Sequence, residues 1–295
     1  FTYCIVGMAV LTGIYVIAGG YMATAINDFI QGIIMLVGIV AVILAVLNVH
    51  GGFTESLNQL SQIPSETAPG MAGAFTSFFG PDPINLLGVV ILTSLGTWGL
   101  PQMIHKFYTV KNEKTIKTGT IISTVFALII AGGSYFMGGF GRLFFEGEAP
   151  AGGFDSIVPT MLNTLSDLLI AIVIILVLSA SMSTLSSLVI TSSSTFTIDF
   201  LKGIFFPKMG NKTQMLVIRV LCAVFILISV LLALNPNSMI SSLMSVSWGA
   251  LAGAFLGSFL YGLFWKGTTR AGVWAGFISG VVITVFGLIL TLTGT

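Results

Sequence analysis

Charged side chains are scarce in this 295-residue chain: they make up 7% of it, whereas soluble domains carry about 25%. A soluble globule of this composition would have almost nothing polar to place on its surface, because 55% of the residues are hydrophobic. The 11 basic and 10 acidic residues nearly cancel, so the net charge of +1 gives no footprint for a nucleic acid partner. We therefore predict an integral protein of a lipid bilayer, with no nucleic acid partner.

Cysteine and histidine are also rare. Cys4 and Cys222 both lie in apolar runs, which favours packed thiols over a disulfide or a metal site. The two histidines, His50 and His105, fall at the ends of hydrophobic runs, and the sequence contains no H-E-x-x-H or G-x-S-x-G motif. An intramembrane enzyme is therefore not expected, and the absence of a repeated filter sequence disfavours an ion channel.

Long hydrophobic runs dominate what remains. A helical span of the bilayer needs about 20 mostly apolar residues. The runs that qualify are roughly 1–19, 23–49, 84–107, 116–143, 165–197, 213–234, 238–265 and 270–293. The stretches 50–83 and 144–164 are expected to be loops, and "NPNS" at 235–238 a tight turn. The pattern predicts an all-α polytopic membrane protein with about eight transmembrane helices.

The few charges predict an orientation. Lysines cluster in the loops after the third, fifth and seventh spans, and acids lie in the alternate loops and at their edges. The positive-inside rule makes the lysine-bearing loops cytoplasmic, and every loop then alternates correctly between the two sides. We expect a multi-pass protein of the cell inner (plasma) membrane, with both ends of this chain facing outward.

The fifth run changes character along its length. It begins "LLIAIVIILVL" and continues "SASMSTLSSLVITSSST" at 179–195. One or two hydroxyls in a membrane helix are explained by contacts between helices, each worth ~0.6–2 kcal/mol. Here they form two lines at helical spacing, and a continuous polar stripe favours a wet or ion-lined path instead. The first line is Ala180, Ser183, Thr184, Ser187, Thr191 and Ser194, and the second is Ser186, Ser193 and Thr197.

A small hard cation prefers oxygen ligands, and neutral oxygens coordinate it without burying an unpaired charge. Ala180 could contribute only its carbonyl, whereas Ser183 and Thr184 could add hydroxyls one turn later. Asp28, in "GGYMATAINDFIQG", lies inside the second run, where an ionisable side chain is a candidate for function. The local sequence fits equally well with Asp28 and Asn27 capping the first turn of that helix.

Four segments together resemble the sodium:solute symporter family. They are "GGYMATAINDFIQG", "GTWGLPQMIHKF", "SASMSTLSSLVITSSSTFTIDF" and "SVSWGALAGAFLGSFLYGLFWKGTTRAGVWAG", in the order that the family has them. The resemblance implies the five-plus-five inverted-repeat (LeuT-type) transporter fold, with substrate and ion near the middle of the membrane. It also implies that residues 1–295 are one transmembrane transporter domain holding core helices four to ten and one following helix, with core helices one to three absent.

The resemblance further implies sodium ligands. The main sodium site of the family matches the carbonyl of Ala180 and the hydroxyls of Ser183 and Thr184. A second site, present in some members, matches Asp28 with hydroxyls of the fifth run. Those hydroxyls belong to Ser183, Ser186 and Ser187.

The substrate side starts from "LTSLGTWGLPQM" at 92–103, where Gly96, Gly99 and Pro101 are expected to break the third span and free backbone groups for a ligand. The resemblance places substrate contacts at this break and on the seventh span, although Trp98 could equally be packed in the interior. The matching residues are Ser94, Thr97, Trp98, Gly99, Ser245 and Trp248.

The function that follows from the resemblance is sodium-coupled symport of a small organic solute by alternating access. Ser94, Thr97 and Ser245 are small where sugar carriers of the family have larger groups. A sugar is therefore disfavoured, and a carboxylate-bearing solute such as pantothenate, proline or a monocarboxylate is expected. The alternative is a symporter-like sensory module of a signalling protein.

Overall fold

The computed structural model describes residues 2–107, 110, 112–145, 153–162, 165–234 and 240–293, and in these ranges it contains helices and no strand. The α-helices are α1 (Thr2–Val49), α2 (Phe53–Gln62), α3 (Pro83–Ser94), α4 (Pro101–Phe107), α5 (Glu113–Phe140), α6 (Ile157–Leu162), α7 (Asp167–Thr195), α8 (Asn211–Ala233), α9 (Ile240–Phe264) and α10 (Arg270–Thr293). This confirms the predicted all-α polytopic membrane class.

The chain packs into two compact units. The first consists of Phe1–Ser56, Thr118–Phe144 and Ser156–Asn237, and the second of Leu57–Lys117, Phe145–Asp155 and Ser238–Thr295. The first unit therefore holds α1, α6, α7, α8 and most of α5, and the second holds α3, α4, α9 and α10. Helix α2 is divided between the two units after Ser56.

Helix α1 is two helices joined at a break. Gly20 has φ 61° and ψ −155°, a conformation that is essentially confined to glycine. We call residues 2–19 and 21–49 the first and second arms of α1. They coincide with the predicted spans 1–19 and 23–49, and the sequence "AGGY" supplies the glycine that the turn between them needs.

Two contacts fix how the second arm runs against α7. The backbone of Gly38 packs directly on the side chain of Leu176, and the Tyr15 hydroxyl donates to the Met182 carbonyl at 3.0 Å. If the second arm ran parallel to α7, Gly20 would lie about 27 Å before Leu176, beyond the start of α7, and Tyr15 could not reach Met182. The second arm is therefore antiparallel to α7, and the first arm folds back along it.

Helix α5 runs the other way relative to α7. Gly32 of the second arm lies against Phe126 of α5, and Gly133 of α5 lies against Ile39, seven residues further along each helix. The second arm and α5 are thus parallel to each other. The positive-inside assignment of the loops predicts the same relative directions for the second, fourth and fifth spans.

The second unit is built on glycine contacts. A Cβ on Gly280 of α10 would overlap the backbone of Gly253 of α9, so the two helices cross at van der Waals distance between main chains. The predicted break of the third span is confirmed: α3 ends at Ser94, Gly96–Gly99 forms a 3₁₀ turn, and α4 starts at Pro101. This turn packs on α9, with Gly96 against Ala252 and Gly99 against Leu256.

Six helices of the described residues are long and apolar enough to cross a membrane. They number fewer than the eight predicted runs, because the two arms of α1 are counted together and the run 84–107 is divided by its break. The described part of the chain is thus a multi-pass membrane protein.

The prediction that two stretches are loops is wrong in part. Residues 50–83 contain α2, and residues 144–164 contain α6. Helix α2 is short and largely polar, but Leu60 and Ser56 are 4% and 0% exposed, so one face is buried. At ten and six residues, α2 and α6 are shorter than the window of about 11–18 residues over which helical periodicity is read from a sequence. The fifth run also continues further than predicted, as a π-helix over Phe196–Phe205. The turn predicted at 235–238 lies outside the described residues.

Candidate functional site

Of the two lines of hydroxyl-bearing residues predicted along α7, the second is buried. Ser186, Ser193 and Thr197 are all 0% exposed, and Ser179 is 6% exposed. The line expected to face the ion lies at the border of this buried face: Ala180, Ser183 and Ser187 are half-buried. Thr184 is exposed on the surface of the first unit. The second line is therefore the more enclosed one.

Two hydrogen bonds within α7 draw predicted ligands together. The Thr184 hydroxyl donates to the Ala180 carbonyl at 3.0 Å, and the Ser186 hydroxyl donates to the Ser183 carbonyl at 2.9 Å. A hydroxyl that donates its proton keeps lone pairs that can bind a cation. Hard cations such as Ca²⁺ hold oxygen ligands at about 2.3–2.6 Å, so two oxygens about 3 Å apart can share one ion.

Asp28 lies in the interior of a helix. The second arm begins just after Gly20, eight residues before Asp28, which places the carboxylate two turns beyond any capping position. Near the start of the arm, the side chain that bonds to the backbone is that of Thr24, whose hydroxyl donates to the Gly20 carbonyl at 2.9 Å. The capping interpretation of Asp28 is therefore wrong, and the residue is half-buried within an apolar helix that is long enough to cross a membrane.

The antiparallel packing sets Asp28 beside the α7 hydroxyls. Counting from the contact between Gly38 and Leu176 at about 1.5 Å per residue, Asp28 lies near the height of Ser186 along α7. Ser183 and Ser187 lie within a turn of that height. The first unit thus gathers the acid and the hydroxyls of the predicted second sodium site on two adjoining helices.

Two amides near Asp28 were not predicted as ligands from the sequence: Asn27 was considered only as a helix cap, and Gln31 was not considered. Gln31 is 5% exposed, and Asn27 is half-buried. Gln31 Oε1 and Asn27 Nδ2 are buried and lack a hydrogen-bond partner among the described residues. The available signal was the occurrence of both amides within one turn of an acid in an otherwise apolar run.

The ligand types suit a hard cation. No three His, Cys, Asp or Glu side chains come together in the part of the chain that the structure describes. The donors that do come together are hydroxyls, carbonyls, amides and one carboxylate. Such oxygens bind small hard cations rather than the metals that favour thiolate or imidazole.

The predicted substrate residues lie in the second unit, around the break between α3 and α4. Ser94 is exposed, Thr97 is half-buried, and the Thr97 hydroxyl donates to the Ser94 carbonyl at 2.9 Å. Gly99 is buried, because the backbone of Leu256 lies where its Cβ would be. Trp98 is 57% exposed, so packing in the interior of the unit does not account for it.

Helix α9 carries the remaining predicted substrate residues. Trp248 is half-buried and lies about one turn before Ala252, the residue that meets Gly96. The side chain of Ser245 lies outside the described residues. The structure therefore places the 3₁₀ turn and Trp248 on adjoining stretches of one unit.

Comparison with known proteins gives one family and several named relatives. The model of the family described as "SSF: Sodium:solute symporter family" matches residues 1–280. A sodium/proline symporter of Staphylococcus aureus is 28% identical over 291 residues, covering 92% of this chain and 52% of that protein. A sodium/proline symporter of Salmonella typhimurium is 27% identical over 285 residues, covering 94% and 55%. The chain thus spans about half the length of the curated relatives that it matches.

Proposed function

Since the chain belongs to the sodium:solute symporter family, we propose that it is part of a sodium-coupled symporter for a small organic solute. The observation that carries this proposal is the antiparallel packing of the second arm of α1 on α7. This packing brings the half-buried carboxylate of Asp28 to within about one helical turn, in height along α7, of Ser183, Ser186 and Ser187.

The sodium ion binds at α7 in this account. Its main site uses the carbonyl of Ala180 with the hydroxyls of Ser183 and Thr184. A second site lies between Asp28 and α7, where Ser183, Ser186 and Ser187 contribute further oxygen ligands. The exposure of Thr184 is compatible with the main site, because an ion bound to its hydroxyl could also be coordinated by segments outside this chain.

The solute binds at the broken helix of the second unit. Exposed Trp98 offers an apolar surface, and the break provides backbone groups that are not committed to an α-helix. The relatives are named as sodium/proline symporters, and the small side chains of Ser94 and Thr97 suit proline or another carboxylate-bearing solute.

Coupling follows the five-plus-five inverted-repeat scheme of alternating access in the inner (plasma) membrane. Sodium entering from outside stabilises the outward-open form, the solute then closes the site, and the protein opens inward. A membrane potential of ~100 mV supplies ~2.3 kcal/mol for each sodium ion that enters. No observation on the described residues or in the comparisons favours the alternative of a sensory module.

The experiment is solute uptake by the full-length protein in proteoliposomes. Labelled proline, pantothenate and short monocarboxylates are tested with an inward sodium gradient and with an equal potassium gradient. We expect accumulation of one of these solutes with sodium only. Equal uptake under both gradients would contradict the proposal.

A further inference from the structure

The carboxamide of Gln31 is the most enclosed amide group near the proposed cation site. The residue is 5% exposed, and its Oε1 atom is buried without a hydrogen-bond partner among the described residues. Buried polar atoms in native proteins are nearly always paired, because an unpaired one forfeits its hydration without compensation. An orphaned oxygen on a membrane helix is therefore evidence of a partner that binds there.

The position of Gln31 shows which region that partner occupies. Thr24, Gln31 and Gly38 are buried and lie seven residues apart, so they form a single line along the second arm. Gly38 packs on Leu176, and this line therefore faces α7. Gln31 lies about 10 Å from Gly38 along the arm, which corresponds to the height of Ser183 on the antiparallel α7.

Gln31 also stands one turn from Asp28 on the same helix, with Asn27 beside it. A carboxylate, a carboxamide oxygen and serine hydroxyls thus converge on one stretch of the seam between the second arm and α7. Resting on the proposed function, we propose that Gln31 Oε1 is a further ligand of the cation bound beside Asp28. The amide supplies a neutral oxygen, which adds coordination without a second buried charge.

The proposal predicts an unusual effect of removing the amide. Gln31→Met keeps the length of the side chain and deletes the unpaired oxygen. In the absence of sodium the variant should be as stable as the wild type or more stable, because an uncompensated polar atom has been replaced by an apolar one. In sodium it should lose stabilisation, because the ion has lost a ligand.

The test is the melting temperature of the purified full-length protein, titrated with sodium chloride against choline chloride at constant ionic strength. We expect Gln31→Met to raise by about tenfold the sodium concentration that gives half of the maximal increase in melting temperature. A change of this size corresponds to the loss of one contact of hydrogen-bond strength. The matched control is Gln214→Met, since half-buried Gln214 already accepts a hydrogen bond from Lys202 at 2.9 Å. This control should lower the ion-free melting temperature and leave the sodium midpoint unchanged.

Two more variants at the same position identify the oxygen as the cause. Gln31→Glu keeps an oxygen in place and should retain the sodium response, whereas Gln31→Asn withdraws the oxygen by one methylene and should weaken it. If the methionine variant does not fold, the asparagine variant carries the test.

The outcomes separate the inference from the function on which it rests. If the wild type responds to sodium and Gln31→Met responds with the same midpoint, the proposed ligand role is wrong. A stability loss of equal size in both salts would also overturn it, and would indicate that Gln31 holds a structural water. If the wild type itself shows no sodium response, the proposed function fails and the ligand role fails with it.

Discussion

Tyr15 donates its phenolic hydroxyl to the main-chain carbonyl of Met182 at 3.0 Å. The two residues are 167 positions apart in the chain, and the bond joins the first arm of α1 to α7 immediately before Ser183. It therefore braces the stretch of α7 that supplies the proposed sodium ligands, and it fixes the direction in which α1 folds back at Gly20.

The loss of this bond should be measurable. We expect Tyr15→Phe to lower the free energy of unfolding in mixed micelles by about 1 kcal/mol, the usual net value of one such hydrogen bond. Tyr135→Phe is the control, because Tyr135 is 62% exposed. Equal stability of the two variants would show that the bond contributes nothing.

The break in α1 predicts a strong effect of a methyl group at Gly20. A side chain there is strained by φ 61° and ψ −155°, and we expect Gly20→Ala to cost about 1–3 kcal/mol in unfolding free energy. Gly7→Ala is matched to it, since Gly7 is helical with open space around its Cβ position. The control should be neutral or slightly stabilising, because alanine favours helix over glycine. A neutral result at Gly20 would mean that α1 can be a continuous helix.

The crossing of α9 and α10 depends on the absence of side chains at two glycines. Gly280→Ala would push a methyl group into the backbone of Gly253, and we expect a loss of about 1–3 kcal/mol from overpacking. Gly262→Ala on α9 meets nothing within van der Waals range and should leave stability unchanged. Unfolding in mixed micelles measures both variants, and similar stabilities would contradict the close crossing.

Replacing Trp98 should weaken solute binding and leave the stability of the fold largely unchanged. Because the side chain is 57% exposed, Trp98→Ala is expected to change the melting temperature little. The solute concentration for half-maximal uptake should rise about tenfold or more, since a stacked or apolar contact would be lost. Trp274→Ala is the control, because Trp274 on α10 is similarly exposed, at 64%. An unchanged solute dependence in Trp98→Ala would remove this residue from the binding site.

Features with a local cause could be predicted from the sequence. The break at Gly96–Gly99 follows from two glycines and a proline within six residues, which prevent a continuous α-helix whatever surrounds them. The helical runs follow from the hydrophobicity of the chain, because backbone groups in lipid must be paired within a helix. The interruption between the arms of α1 likewise follows from adjacent glycines.

Features that depend on partner helices could not be predicted. Helix α7 is apolar or hydroxyl-bearing on every face, so its period does not tell which line is buried. The structure turns Ser186 and Ser193 inward and leaves Thr184 exposed. Gln31 was missed for a related reason: the sequence places Asn27 and Gln31 within a turn of Asp28, but which of these side chains is buried depends on how α1 meets α7.

The central claim is that the hydroxyls of α7 and the carboxylate of Asp28 hold sodium. The most direct measurement is equilibrium binding of radioactive sodium to the purified full-length protein, compared with Ser183→Ala and Asp28→Asn. The account predicts saturable binding by the wild type, an apparent dissociation constant raised about tenfold or more in each variant, and unchanged binding in Ser123→Ala, an exposed hydroxyl of α5. Saturable sodium binding that is the same in all four proteins would contradict it.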